Sequence, residues 1–321
     1  MEPLSLLQIP LFRALEGAER VLICGAGGGF DVFAGLPLLF ALRRAGKQVH
    51  LANLSFTYLG GTDAAYLMPG LARVTANTRG EDNYSPERYL CQWLAETEPE
   101  AEPEVYCLEK TGVRPMTAAY KHLANHLQVD ALVLVDGGTD ILMRGDESGL
   151  GTPTEDMTSL AAVRELDLPV KIVSCLGFGI DAFHGVCHAH FLENVAALAG
   201  DGGYLGAHSL LGEMDEARRY QDAVNYVHDR MPARQSIVNG SIVSALESRF
   251  GNYHRTERTR SSELFINPLM CLYFSFQLEA VARRCLYLDS LRETQGIFEV
   301  QAIIEAFRKS VKRREKRSIP V

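Results

Sequence analysis

Short apolar runs alternate with helical patterns through residue 210, and that alternation restricts the fold more than any other feature of the chain. Residues 21–24, 48–56, 105–108, 131–135 and 170–175 read as strands, with a sixth near 204–210. Helical patterns fall between them, near 36–45, 86–96, 116–127, 153–165 and 183–199. Strand–helix alternation means βαβ units, and such units build a parallel sheet covered on both faces. Right-handed crossovers then bring every strand's C-terminal end to one edge. The expected fold is α/β, a doubly wound, mostly parallel, Rossmann-like sheet with a helix-rich C-terminal region. After residue 211 helices dominate, near 213–230, 236–248, 269–288 and 297–315, with one short strand near 264–266. No linker separates the parts, so residues 1–321 are expected to form a single domain, with 16–211 as the core and 212–321 as helical cover.

Composition fits that plan and removes several classes of function. The chain has 321 residues, 47% hydrophobic and 22% charged, enough apolar material to offset chain entropy. A formal charge of −8 disfavours general nucleic-acid binding. No apolar stretch approaches the roughly 18 residues of a spanning helix, so no membrane is expected. The first residues lack the basic region of a secretory signal, and the seven cysteines are scattered rather than framed as disulfides. The expected location is cytoplasmic, with thiols reduced. One basic run, 308–317, carries seven basic residues in ten without interleaved aromatics. It suits a helix C-terminus, carries none of the loops below, and is expected to be dispensable for the chemistry.

Some boundaries have their own local chemistry. Thr152-Pro153-Thr154-Glu155 reads as a capping box, and Gly46 after Arg43-Arg44 as a helix-terminating glycine. The acid- and proline-rich stretch 96–104 reads as a solvated connection.

Three strands each run into a glycine-rich loop that holds an aspartate. The first leads into Gly25-Ala26-Gly27-Gly28-Gly29-Phe30-Asp31, the fourth into Asp136-Gly137-Gly138-Thr139-Asp140, and the fifth into Gly177-Phe178-Gly179-Ile180-Asp181. In a doubly wound sheet strands one and four flank the switch point, with the fifth beside the fourth, so the three loops should line one crevice. Gly25, Gly27, Gly28, Gly29, Asp31, Gly137, Gly138, Thr139, Gly177 and Gly179 are the expected ligand-binding residues there. The glycine loop is expected to bind an anion at the helix start that follows it. It departs from a dinucleotide fingerprint, because Phe30 stands where the third glycine belongs and Asn53 and Ser55 replace the acid after the second strand. It is not a P-loop either, since no Gly-Lys-Ser/Thr follows. Asp136, Asp140 and Asp181 are the candidate catalytic carboxylates. Like charges so close cannot all ionise cheaply, so one holds a proton or a cation sits among them.

On a helix, Asp181, His184 and His188 share one face by the 3.6-residue period. Those three could hold a divalent metal, work as acid and base, or be core histidines. The glycine-rich segment 145–151, with Asp146 and Glu147, is an exposed turn or a ligand loop. Arg255, Arg258 and Arg260 are candidate partners for an anionic substrate, or solvated surface.

The stretch 25–32 with Leu36-Pro37, and the longer one from Val135-Asp136 through Arg144-Gly145-Asp146-Glu147 to Leu150 with Pro153 and Asp156, resemble the family called domain of unknown function 1152. The resemblance covers about residues 20–210 and implies an α/β protein with a glycine-rich site, without a reaction. Residues 136–140 are also faintly similar to the Gly-Asp-Gly-Gly-Asn-Glu signature of D-glutamate cyclase-like proteins, with Thr139 and Asp140 departing from it. The leading expectation is a small-molecule enzyme, a hydrolase, lyase or transferase, acting on an anionic metabolite or nucleotide-like substrate with a divalent metal or a nucleotide as candidate cofactor. The alternatives are a sensor that binds without turnover and a dinucleotide-dependent oxidoreductase. The expected partner is a small-molecule ligand, with a homo-oligomer left open.

Overall fold

The computed structural model describes residues 5–80, 84–100 and 102–319. Its strands are β1 (Arg20–Gly25), β2 (Gln48–Leu54), β3 (Ala65–Met68), β4 (Leu71–Thr75), β5 (Glu104–Leu108), β6 (Ala131–Gly137), β7 (Val170–Leu176), β8 (Tyr204–Ser209) and β9 (Leu272–Gln277). The helices are α1 (Pro10–Ala14), α2 (Asp31–Ala34), α3 (Leu36–Arg44), α4 (Pro86–Thr97), α5 (Val113–Leu127), α6 (Pro153–Arg164), α7 (His188–Gly200), α8 (Asp215–Arg230), α9 (Ile237–Leu246), α10 (Leu278–Arg284) and α11 (Ile297–Ser310). The strands form one sheet in the order β3-β4-β5-β2-β1-β6-β7-β9-β8. The central run β5-β2-β1-β6-β7 is parallel throughout. Antiparallel strands extend it at both ends, so the fold is an α/β, mostly parallel, Rossmann-like sheet.

Side-chain alternation along the strands builds two cores. Leu22, Cys24, Leu132, Leu134 and Val173 face one side and pack among residues of α5, α6, α10 and α11. Val21, Ile23, Val133, Val135 and Ile172 face the other, among residues of α3, α4 and α8. Burial on both faces is why these strands read as continuous apolar runs. Order reverses between β1 and β6, and the loops after both strands open at that point.

Several elements differ from the sequence reading. Residues 269–288 are not one helix. They form a 3-10 turn (Pro268–Cys271), β9 and α10. A strand buried on both faces has no period-2 alternation, so Leu-Tyr-Phe-Ser-Phe cannot be told from buried helix by pattern. β9 lies inside the sheet between β7 and β8, so the C-terminal region supplies a strand as well as helices. The hairpin β3–β4 turns at Pro69-Gly70, where Gly70 has φ +82°. Near Ile266 there is one isolated bridge to Gly251 and no strand. Thr152 precedes α6 but makes no side-chain cap, because its hydroxyl is turned to Asp140. Gly46, at φ +80°, does end α3, as expected.

The basic run is a strap, not a free tail. Arg308, near the end of α11, donates to the carbonyls of Gly145, Glu147 and Ser148. Arg314 donates to both side-chain partners the sequence placed in a ligand loop, to Asp146 at 2.9 Å and to Glu147 at 3.1 Å, and also to Glu193. Glu147 is fully buried and also receives the amides of Arg144 and Gly145 and the side chain of Asn194. Asp146 and Glu147 therefore anchor the strap.

Candidate functional site

A cavity of ≈ 650 Å³ opens at the C-terminal edge of the parallel strands. The three loops do meet there: Gly27, Gly28, Gly29 and Asp31 from the first, Asp136, Gly137 and Asp140 from the second, and Asp181 and His184 from the third line it. β1 and β6 are hydrogen-bonded neighbours, and Ala26 N–H extends their pairing by donating to Val135 at 2.8 Å. That register brings the two loops together.

The first loop turns on Gly28 and Gly29, at φ +93° and +64°, a conformation that disfavours any residue with a Cβ. Two of its amides are already committed. Gly27 N–H donates to Asp31 Oδ2 at 2.6 Å, and Gly29 N–H donates to the Leu54 carbonyl. The helix that follows has only four residues. The expected anion cradle is thus turned inward, onto the carboxylate of Asp31. Below the loop, Asn53 donates to the Gly29 carbonyl and to Glu87, and Thr57 also donates to Glu87. Asn53, which replaces the ribose-binding acid of dinucleotide enzymes, is therefore a buried brace. Phe30, in the third-glycine position, packs against Phe33 and His228.

Five aspartates converge at the cavity, from four segments of chain. Asp136, Asp140, Asp156 and Asp181 are all at most 4% exposed. Asp136 Oδ2 accepts the amide of Ile141 at 3.2 Å. Asp140 Oδ2 accepts the amide and hydroxyl of Thr152. Asp181 Oδ2 accepts the amide and hydroxyl of Thr139. Burial drives all five up from the ordinary carboxylate range, with neighbouring aspartates adding to it for Asp136, Asp156 and Asp181. Asp31 is pushed up to about 7, by burial first, against the pull of the Gly27 amide. Asp140 rises by burial, and the Thr152 donors and the charge of His184 hold it back.

Asp156 was missed by reasoning from loops, because it sits on α6 and reads as an ordinary first-turn acid. Its only sequence signal is its place in the long motif that ends at Leu150, Pro153 and Asp156. Ser159, on the same helix, donates to the Ala26 carbonyl and draws that turn against the glycine loop. Phe56, Tyr84, Glu155, Arg234 and Arg258 also line the cavity. Of the three arginines considered from sequence, only Arg258 does so. Arg255 pairs with Glu247, and Arg260 with Glu257.

The histidine segment is arranged differently from the helical reading. Gly179 and Gly185, at φ +93° and +88°, bracket a 3-10 turn (Ile180–His184), and α7 begins only at His188. Asp181, His184 and His188 therefore do not share a helix face. His184 is exposed at the cavity, whereas His188 lies outside it, tilted on Phe178 with ring centroids 5.3 Å apart. Gly25, Gly138, Thr139, Gly177 and Gly179 do not line the cavity but shape the loops that do. At Gly138 an added Cβ would fall 2.8 Å from Asp181 Oδ2. Among the described residues, the three acidic or histidine side chains within ligand reach of one another are instead Asp31, Asp136 and Asp156.

No described helix is long and apolar enough to cross a membrane. No curated protein and no solved structure matches the chain, and the likeness to D-glutamate cyclase-like proteins gains no support. The family described as "Protein of unknown function (DUF1152)" matches residues 62–309. The match therefore starts after the first glycine loop and runs on through the helix-rich region, a different span from the one its motifs suggested. Matched over more than half its length, and carrying Asp136, Asp140, Asp156 and Asp181 inside the match, the chain belongs to the DUF1152 family.

Proposed function

We propose that the protein is a small-molecule enzyme, a hydrolase, lyase or transferase, acting on an anionic metabolite or nucleotide-like substrate in this crevice. The observation that carries the reading is four buried aspartates, with the half-buried Asp31 beside them, on one cavity that Arg234 and Arg258 also line. Burying like charges costs stability, and such clusters persist where chemistry uses them. Arg234 and Arg258 suit the anionic end of a substrate, and Phe56, 41% exposed, offers it an apolar ring face. Asp140 and His184 are the groups placed to move a proton. Burial makes Asp140 hold its proton more tightly than an ordinary carboxyl, which suits a proton donor, and the exposed His184 imidazole stands at the same cavity. A pure sensor would need no such cluster of titratable groups. A dinucleotide oxidoreductase is disfavoured by Phe30 and Asn53, both committed to packing or bracing.

The test is to incubate the full-length protein with nucleotides, phosphomonoesters and carboxylated metabolites and follow their consumption by mass spectrometry. Turnover of at least one is expected, falling by about 10²–10⁴-fold in Asp140→Asn or His184→Ala. A compound that binds in the crevice and is never converted makes the protein a sensor, and no binding to any of them ends this reading.

A further inference from the structure

We infer that Asp31, Asp136 and Asp156 form a binding site for one hard divalent cation of the Mg²⁺, Mn²⁺ or Ca²⁺ class. Each of the three offers a carboxylate oxygen, and these oxygens lie within 4.8 Å of one another. Ligands on opposite sides of a Ca²⁺ ion are separated by twice the bond length, about 4.6–5.2 Å, so the three fit one coordination sphere.

Asp156 is left without a partner for one of its oxygens: it is 1% exposed, and its Oδ1 has no hydrogen-bond partner. A buried carboxylate oxygen without a donor is costly, and a cation is the partner that removes the cost while balancing its neighbours. The space beside it is kept by Gly27: a Cβ there would fall 2.6 Å from Asp156 Oδ1 and 2.9 Å from Asp31 Oδ2. The other two carboxylates are aimed by the backbone. Gly27 N–H holds Asp31 Oδ2 and Ile141 N–H holds Asp136 Oδ2, the kind of outer support that orients metal ligands. An all-oxygen donor set with no sulfur or imidazole selects hard cations. All three side chains line the cavity, which gives the ion a way in and leaves its remaining positions facing the space a substrate would fill. Such an ion would let an anionic group approach carboxylates that otherwise repel it.

The inference goes beyond the functional reading, and its test reads cation binding rather than turnover, so either can fail without the other. Full-length protein stripped with EDTA is titrated with Mn²⁺ by calorimetry and by electron paramagnetic resonance. One bound Mn²⁺ per chain is expected, displaced by Mg²⁺ or Ca²⁺, with a rise in melting temperature on binding. Asp156→Asn and Asp31→Asn should each weaken binding at least tenfold, while circular dichroism shows both variants folded without metal. His188→Ala should leave the affinity unchanged. Absence of saturable binding at millimolar Mn²⁺ overturns the inference. So does equal affinity in Asp156→Asn and wild type, as does loss of binding in His188→Ala, which would put the ion on Asp181 and the histidines.

Discussion

Asp136 stands at the end of β6, 2% exposed, with one backbone amide as its hydrogen-bond donor, and burial first, then three other aspartates, push its ionisation to higher pH. Its charge is a cost to the fold, so neutralising it should not hurt folding. In Asp136→Asn the side-chain carbonyl can still accept the Ile141 amide. Measured without metal, the melting temperature of this variant should be unchanged or raised by about 2–4 °C. Turnover or ligand binding should fall by at least about a hundredfold. A melting temperature lower by several degrees, with full function per folded molecule, would make Asp136 a structural turn residue. Asp31, Asp136, Asp140 and Asp181 were legible because each belongs to a loop at a strand end. Asp156 was not, because a first-turn acid on a helix has an ordinary reason to be there.

Among the elements, the strap formed by α11 and the residues after it carries the clearest correction. From sequence, 308–317 reads as a basic run that suits a helix C-terminus and is dispensable for the chemistry. In the fold, Arg314 is the cation beside the fully buried Glu147. Long-range pairing of this kind leaves no periodic trace. Removing one partner of a buried pair costs about 3–5 kcal/mol, here moderated by the other donors to Glu147. Arg314→Ala, and deletion of residues 312–321, should each lower the melting temperature by about 5 °C in differential scanning calorimetry. Unchanged melting in both would show the strap to be ornamental. The segment before α7 teaches a related lesson. Gly185 looks tolerable inside a helical pattern, yet its positive φ ends the turn and delays the helix to His188.

For the whole molecule, β9 decides the organisation. Among the described strands β8 pairs with β9 alone, and β9 joins it to β7. A fragment of residues 1–211 would keep β8 but lose the strand that attaches it and expose the edge of β7. It would also lose α8, α10 and α11, which help cover the two cores. That fragment should be insoluble or unfolded by circular dichroism, and the full chain should melt in a single calorimetric transition. A soluble, cooperatively melting fragment would instead define a separate core domain.

The sequence by itself determined the parallel centre of the sheet and the meeting of its loops. Continuous apolar strands alternating with helices admit few arrangements, and right-handed crossovers put residues 25–31, 136–140 and 177–181 on one edge. It did not determine what the loops do there. Whether the Gly27 amide faces an anion or Asp31, whether Asp156 reaches the cavity, and whether Arg314 meets Glu147 depend on contacts between residues far apart in the chain. Those contacts are made by single side chains from packed elements. Local patterning specifies which face of an element is apolar, but only the packed sheet and its two helical layers fix which polar groups are left facing one another.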